Sequence, residues 1–197
     1  MKTIKILLSI IFILLVSTSY GQNYNFDKIV KSSFSTQSFP NQEWTHFFNS
    51  EDDSYHMHIY KRNDSLVSRI FDTKENEEHY FHIDKSNSLN FIETNNLSKK
   101  VNGNKFEFSK IEERKGNKEI TFKILNDRDK KIANYKFMIK ETDEDFFSIF
   151  KLSALENQLF SKIKPSKHFI VLEAKGNSTK YKLNSIEDIN LTVKIPE

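Results

Sequence analysis

Tyr55-His56-Met57-His58-Ile59-Tyr60 alternates strictly, with Tyr55, Met57 and Ile59 on one side and His56, His58 and Tyr60 on the other. A period of two belongs to a β-strand, because successive side chains leave a pleated backbone on opposite faces. The same alternation extends outward from this hexapeptide. Upstream, Trp44, His46 and Phe48 oppose Thr45 and Phe47. Downstream, Leu66, Ser68 and Ile70 oppose Val67, Arg69 and Phe71, then Phe81 and Ile83 oppose Tyr80 and His82, and Leu89 and Phe91 begin another piece.

Turn chemistry separates these segments. Asn63-Asp64, Lys74 to Glu78, Asn102-Gly103-Asn104, Gly116-Asn117, Asn126-Asp127 and Gly176-Asn177 stand between or before alternating runs. Asn, Asp and Gly tolerate the positive φ that tight reversals need, so these are hairpin signals with a mechanism. Further strands are expected at Phe106 to Phe108, Ile120 to Ile124, Ile132 to Ile139, His168 to Glu173, Thr179 to Leu183 and Ile189 to Ile195.

One interval departs from the period. Leu152, Leu155 and Leu159 recur at helical spacing, Thr142 is placed to cap with Asp145 three residues on, and Pro165 closes the stretch. A helix near 143–162 is expected. Residues 22–42 read either as a short helix lined by Phe26, Ile29, Val30 and Phe34 or as a partly ordered arm. The fold class expected is mainly β (α+β): a strongly curved antiparallel sheet, or a small β-barrel or half-barrel, with that one helix. In outline this resembles the lipocalin-like or half-barrel shapes of many small exported proteins, an analogy of element order alone.

Export is read from the first residues. Lys2 and Lys5 precede an apolar run from Ile6 to Val16, and Ser19 and Gly21 occupy the small-residue positions before a cleavage point. This is the order of a secretory signal peptide over 1–21, and the apolar run falls short of the roughly 20 residues that span a bilayer. Residues 22–197 are then expected to form a single β-rich domain with no transmembrane anchor, in the periplasm or outside a Gram-negative cell. A leader ending Gly21-Gln22 in an Asn- and Lys-rich chain resembles those of exported Bacteroidota proteins in style, not in family.

Composition narrows the chemistry. The chain has no Cys, which removes disulfides, thiolate metal sites and cysteine nucleophiles together. Without Lys2 and Lys5 the balance is 28 basic against 27 acidic residues, interspersed in short runs. No concentrated basic footprint exists, so no nucleic-acid partner is expected. No glycine-rich phosphate loop, nucleophile elbow or paired-histidine metalloprotease helix occurs, and no cofactor is implied.

His56 and His58 project to the same side of one strand, about 7 Å apart. With His46, His79 or His82 from a neighbour they could supply part of a zinc or copper site; the competing reading makes them a solvent-side strip. The 18 Phe and 7 Tyr form the larger signal. Each ring removes about 150–250 Å² from water, which suits either a packed core or a cup for an apolar ligand. Tyr55, Tyr60 and Tyr80 stand on segments with aromatic character on both faces and are the candidate ligand or partner contacts. The function expected is an exported binding or structural domain that buries an apolar or mixed ligand, or a protein segment, against an aromatic sheet face. Its partner would be a small hydrophobic ligand or an exported protein. The alternative is a metal-assisted or carboxylate-dependent hydrolase with His56 and His58 near the site.

Overall fold

A computed structural model describes residues 21–38, 40–62, 64–97, 103–155, 160–176 and 178–196. The expected leader, apart from Gly21, lies outside them. The elements in chain order are β1 (Asn23–Ser35), β2 (Gln42–Phe48), β3 (Tyr55–Arg62), β4 (Ser65–Asp72), β5 (Glu77–Ile83) and β6 (Leu89–Asn96). They continue with β7 (Lys105–Phe108), β8 (Glu112–Arg114), β9 (Asn117–Leu125), β10 (Lys131–Glu141), α1 (Phe147–Ala154), β11 (Phe169–Lys175) and β12 (Lys180–Lys194).

All strands join one antiparallel sheet in the order β6-β5-β4-β3-β2-β1-β12-β11-β10-β9-β7, with β8 beside β7 on the same edge of β9. The path has two ends, β6 and β7, that do not pair with each other. The expectation of a strongly curved sheet, small barrel or half-barrel is therefore corrected to an open, mainly β sheet with, among the described residues, one short helix. Closure needs the end strands to share a ladder. Here one end is divided between two short strands, a common way of ending a sheet without inviting further pairing.

Hairpin chemistry accounts for much of the meander. Lys115 and Gly116 have φ of 51° and 77° and connect Arg114 to its partner Asn117, the two-residue type I′ geometry that matches strand twist. Asn76 and Asp129 take positive φ in the reversals before β5 and β10.

Three apolar clusters hold the sheet. One joins Ile120 and Phe122 of β9, Phe137 and Ile139 of β10, Phe147 and Phe150 of α1, Phe169 and Val171 of β11, and Tyr181. A second joins Tyr24, Phe26, Phe47, Met57, Ile70 and Phe81 with Val193 and Ile195. A smaller third packs Ile149 and Leu152 of α1 on Val30 and Phe48. β12 runs unbroken from the first cluster to the second, although its sequence reads as two pieces.

The helix is shorter than the 143–162 expected. Thr142 Oγ1 donates to the Glu144 carbonyl, whereas Asp145 Oδ1 accepts from Phe147 N, so the first turn forms later. Part of the remaining expected span, residues 156–159, lies outside the described residues. Residues 22–42 are neither helix nor arm: most belong to β1. Tyr24, Phe26 and Ile29 reach the second cluster while Val30 reaches the third. The inward positions change phase near an irregularity in the β1–β12 register between Phe26 and Lys28, and the resulting intervals imitate helical spacing. Among the described residues no helix is long and apolar enough to cross a membrane.

Candidate binding groove and its buried polar neighbours

Among the described residues β6 hydrogen-bonds only to β5, and β11 covers only Lys180–Lys182 of β12, so the far half of β12 is paired there on the β1 side alone. Between these two open edges runs a groove of about 870 Å³. Its walls are the consecutive residues Leu89, Asn90 and Phe91 and the consecutive residues Thr192 to Pro196. A strand that turns only one face to a cavity lines it with alternate residues. Consecutive residues of both strands reach the groove, together with Gly21 and, from β1, Asn23.

The floor is apolar. Phe81 is buried beneath Phe91, the ring centroids 5.7 Å apart at 71°, and Val193 and Ile195 are buried opposite. Asn23, Asn90, Thr192 and Lys194 supply polar groups. Ile195 N donates to the Gln22 carbonyl, and a side chain at Gly21 would run into the Ile195 carbonyl oxygen. Ile92, beside the groove on β6, is 57% exposed.

A buried hydrogen-bond chain ties the start of β1 to the face of β5. Tyr24 Oη lies 2.9 Å from Asp72 Oδ2, 3.1 Å from Gln22 Oε1 and 2.8 Å from His79 Nε2. With the phenolic proton given to the Asp72 carboxylate, the tautomer that completes the chain has His79 Nε2 donating to Tyr24 Oη. His79 Nδ1 is then the acceptor for the Thr94 hydroxyl at 2.8 Å. Burial, reinforced by the Asp72 carboxylate, pushes the Tyr24 hydroxyl far above its ordinary value. Burial lowers the His79 pKa, with Glu77 and Asp72 acting in the opposite sense.

His46, His56 and His58 lie on the opposite face. His56 and His58 share a side, as their spacing predicts, but they are 2% and 6% exposed and form no solvent-side strip. Of the three candidate neighbours it is His46, 1% exposed, that stands opposite His58 across β2–β3. The His46 and His58 rings are stacked at 4.3 Å and 13°, and His56 lies against Phe71 at 4.9 Å and 8°. Parallel rings direct their in-plane lone pairs alongside one another rather than toward a common point. Among the described residues no group of three or more His, Cys, Asp or Glu is arranged to hold a metal ion. His46 Nδ1, His56 Nδ1 and His58 Nε2 are buried without a hydrogen-bond partner. Burial holds His56 at about 3 and His58 at about 4, aided by His58, Lys151 and Arg69 at His56 and by Arg69 at His58. Burial, with the neighbouring rings, holds His46 well below the ordinary value.

The candidate tyrosines are not brought together. Tyr55 packs in the second cluster and donates to the Asn25 carbonyl at 2.9 Å. Tyr60 flanks His58 on the histidine face. Tyr80 donates to Glu78 Oε2 at 2.7 Å, while Arg69 lies over its ring and that of Phe71 and pairs with Glu78. None of the three lines the groove. Phe81, Leu89 and Phe91 do, and their alternation was visible in the sequence; their role depends on β12, which no local pattern places beside them. No family model matches the chain, and no curated protein matches it at a significant level.

Proposed function

We propose that this chain is an exported binding domain that takes an extended protein segment into the groove between β6 and the end of β12. The observation carrying this reading is that both walls are strand edges above an apolar floor. Open edges offer backbone N–H and C=O groups, and an added strand satisfies them while its alternate side chains enter apolar positions. The volume falls in the range of about 300–1,000 Å³ usual for ligand sites, so a small apolar molecule is the competing occupant. The order of residues 1–21 supports export.

Hydrogen exchange on the purified chain separates these occupants. A synthetic peptide of alternating valine and threonine is expected to slow exchange at the amides of Leu89–Phe91 and Thr192–Lys194. Palmitate binding without amide protection would instead assign the groove to a small ligand. If neither probe alters exchange or binds, the reading fails.

A further inference from the structure

We propose that the contact between α1 and strands β1–β3 is an acid-labile latch, released when the imidazoles of His46, His56 and His58 take up protons while the rest of the sheet stays paired. The three rings lie in one aromatic row. The row begins at Trp44, which stacks on Phe34 at 4.3 Å and stands 5.4 Å from His58. His46 follows on His58, Phe48 lies beside both His46 and His56, and His56 closes on Phe71. A neutral imidazole fits such a row as a flat, weakly polar ring. An imidazolium there is a desolvated cation without an acceptor, because a ring nitrogen of each histidine is already buried and unpartnered.

The surrounding charges oppose protonation. From α1, Lys151 bears on His56; from β4, Arg69 bears on His56 and His58. Charged groups also stand at this contact: Glu51, Asp53, Asp145, Lys28 and Lys164 line the hollow where α1 meets β1 and β2, Asp53 bears on Lys151, Glu78 of β5 pairs with Arg69, and Lys28 pairs with Asp188 at 2.6 Å. Tyr60 and Tyr80 flank Arg69, and Tyr181 is a buried neutral phenol. Among the described residues the charges that bear on the three rings are those of one another, Lys151 and Arg69, all of which disfavour protonation.

The weak boundary lies on the helix side. α1 is anchored to the large core of β9–β11 by Phe147 and Phe150. Toward β1 and β2 it presents Ile149 and Leu152, which meet Val30 and Phe48 in a smaller cluster that Phe146 flanks. Like charge accumulating between Lys151 and the histidine row therefore acts across the smaller of the two contacts. Its release exposes Val30 and Phe48, an apolar patch unrelated to the groove.

Trp44, the only tryptophan, reports on the row directly. Fluorescence and residue-resolved hydrogen exchange on the purified chain are followed from neutral to acid pH. The expected result is quenched Trp44 emission and lost protection at Ile149–Ser153, falling about tenfold per pH unit for each imidazole released. The groove strands keep their protection. Replacing the rings in His46→Phe/His56→Phe, or removing the facing cation in Lys151→Met, is expected to move the transition to lower pH. Simultaneous loss of protection throughout the sheet overturns the proposal, as does an unchanged transition in Lys151→Met. Should the double variant not fold, titration of the three ring C–H resonances in the wild type decides: ordinary imidazole values with α1 still protected also overturn it.

Discussion

Tyr24 Oη stands 2.8 Å from His79 Nε2, although three strands separate β1 from β5 in the sheet. The contact forms because β1 and β12 run past the end of β2, whose register with β1 begins only at Lys28. Their far ends lie over the second apolar cluster and supply Tyr24, Phe26, Val193 and Ile195 to it. One wall of the groove is thus held by a buried polar chain reaching Asp72.

Tyr24→Phe tests that tie. The ring remains, but Asp72 loses its phenolic donor and His79 Nε2–H its acceptor inside the fold. A buried group left unsatisfied costs about 1–3 kcal/mol, and a loss of that size is expected in the urea midpoint at unchanged slope. A neutral result would mean that Gln22 or solvent replaces the hydroxyl.

Acid is expected to weaken the fold before the carboxylates titrate. His56 and His58 have folded pKa values of about 3 and about 4, and His46 is likewise depressed. Because the unfolded chain binds these protons more readily, their contribution is complete above about pH 6.5 and is lost as pH falls toward the folded values. Each imidazole adds a slope of about 1.4 kcal/mol per pH unit within that window. Urea unfolding at a series of pH values measures it; a flat profile between neutrality and pH 5 contradicts it.

Arg69→Met should be more damaging than its partly exposed position suggests. Arg69 lies over Phe71 and Tyr80 and pairs with Glu78, whose side chain is 9% exposed. Removing one member of such a pair leaves an uncompensated buried charge, at about 3–5 kcal/mol. The double variant Arg69→Met/Glu78→Gln is expected to recover much of the loss, as a double-mutant cycle would reveal.

Phe150→Ala should cost about 3–5 kcal/mol. The ring meets Phe137 at 4.8 Å and Tyr181 at 5.1 Å, both edge-to-face, so truncation leaves a void shared by α1, β10 and β12. Calorimetry would record this as a lower melting temperature; an effect no larger than that of a surface substitution would mean that α1 shifts to fill the space.

Gly116→Val isolates backbone strain, since an added Cβ meets nothing within 4 Å while φ is +77°. The left-handed penalty of about 1–2 kcal/mol is expected alone. A larger loss would implicate the register of β8 on β9.

Local sequence carried the strands well where both faces kept one phase. Trp44–Phe48, Tyr55–Tyr60 and Leu66–Phe71 fall within β2, β3 and β4, and His56 and His58 do share a side. β1 escaped because its inward positions change phase between Phe26 and Val30, where strict alternation ceases to describe the pleat. α1 was overextended because Leu152 and Leu155 recur at helical spacing, although Leu155 already serves as the C-cap. The groove depended on β6 meeting the end of β12, and the histidine row on the register of β2 with β3; both are long-range pairings that periodicity does not encode.

The first strand of this sheet is completed by the last, from Asn23 opposite Lys194 to Ser35 opposite Lys180. β1 therefore gains that partner only after every intervening strand has been made, and only then do Tyr24 and Phe26 meet Val193 and Ile195. Early hairpins lack these covering residues, and the loop that must close contains β2 to β11, which slows folding. For the export proposed above, that delay would keep the chain unfolded during passage through a translocation pore.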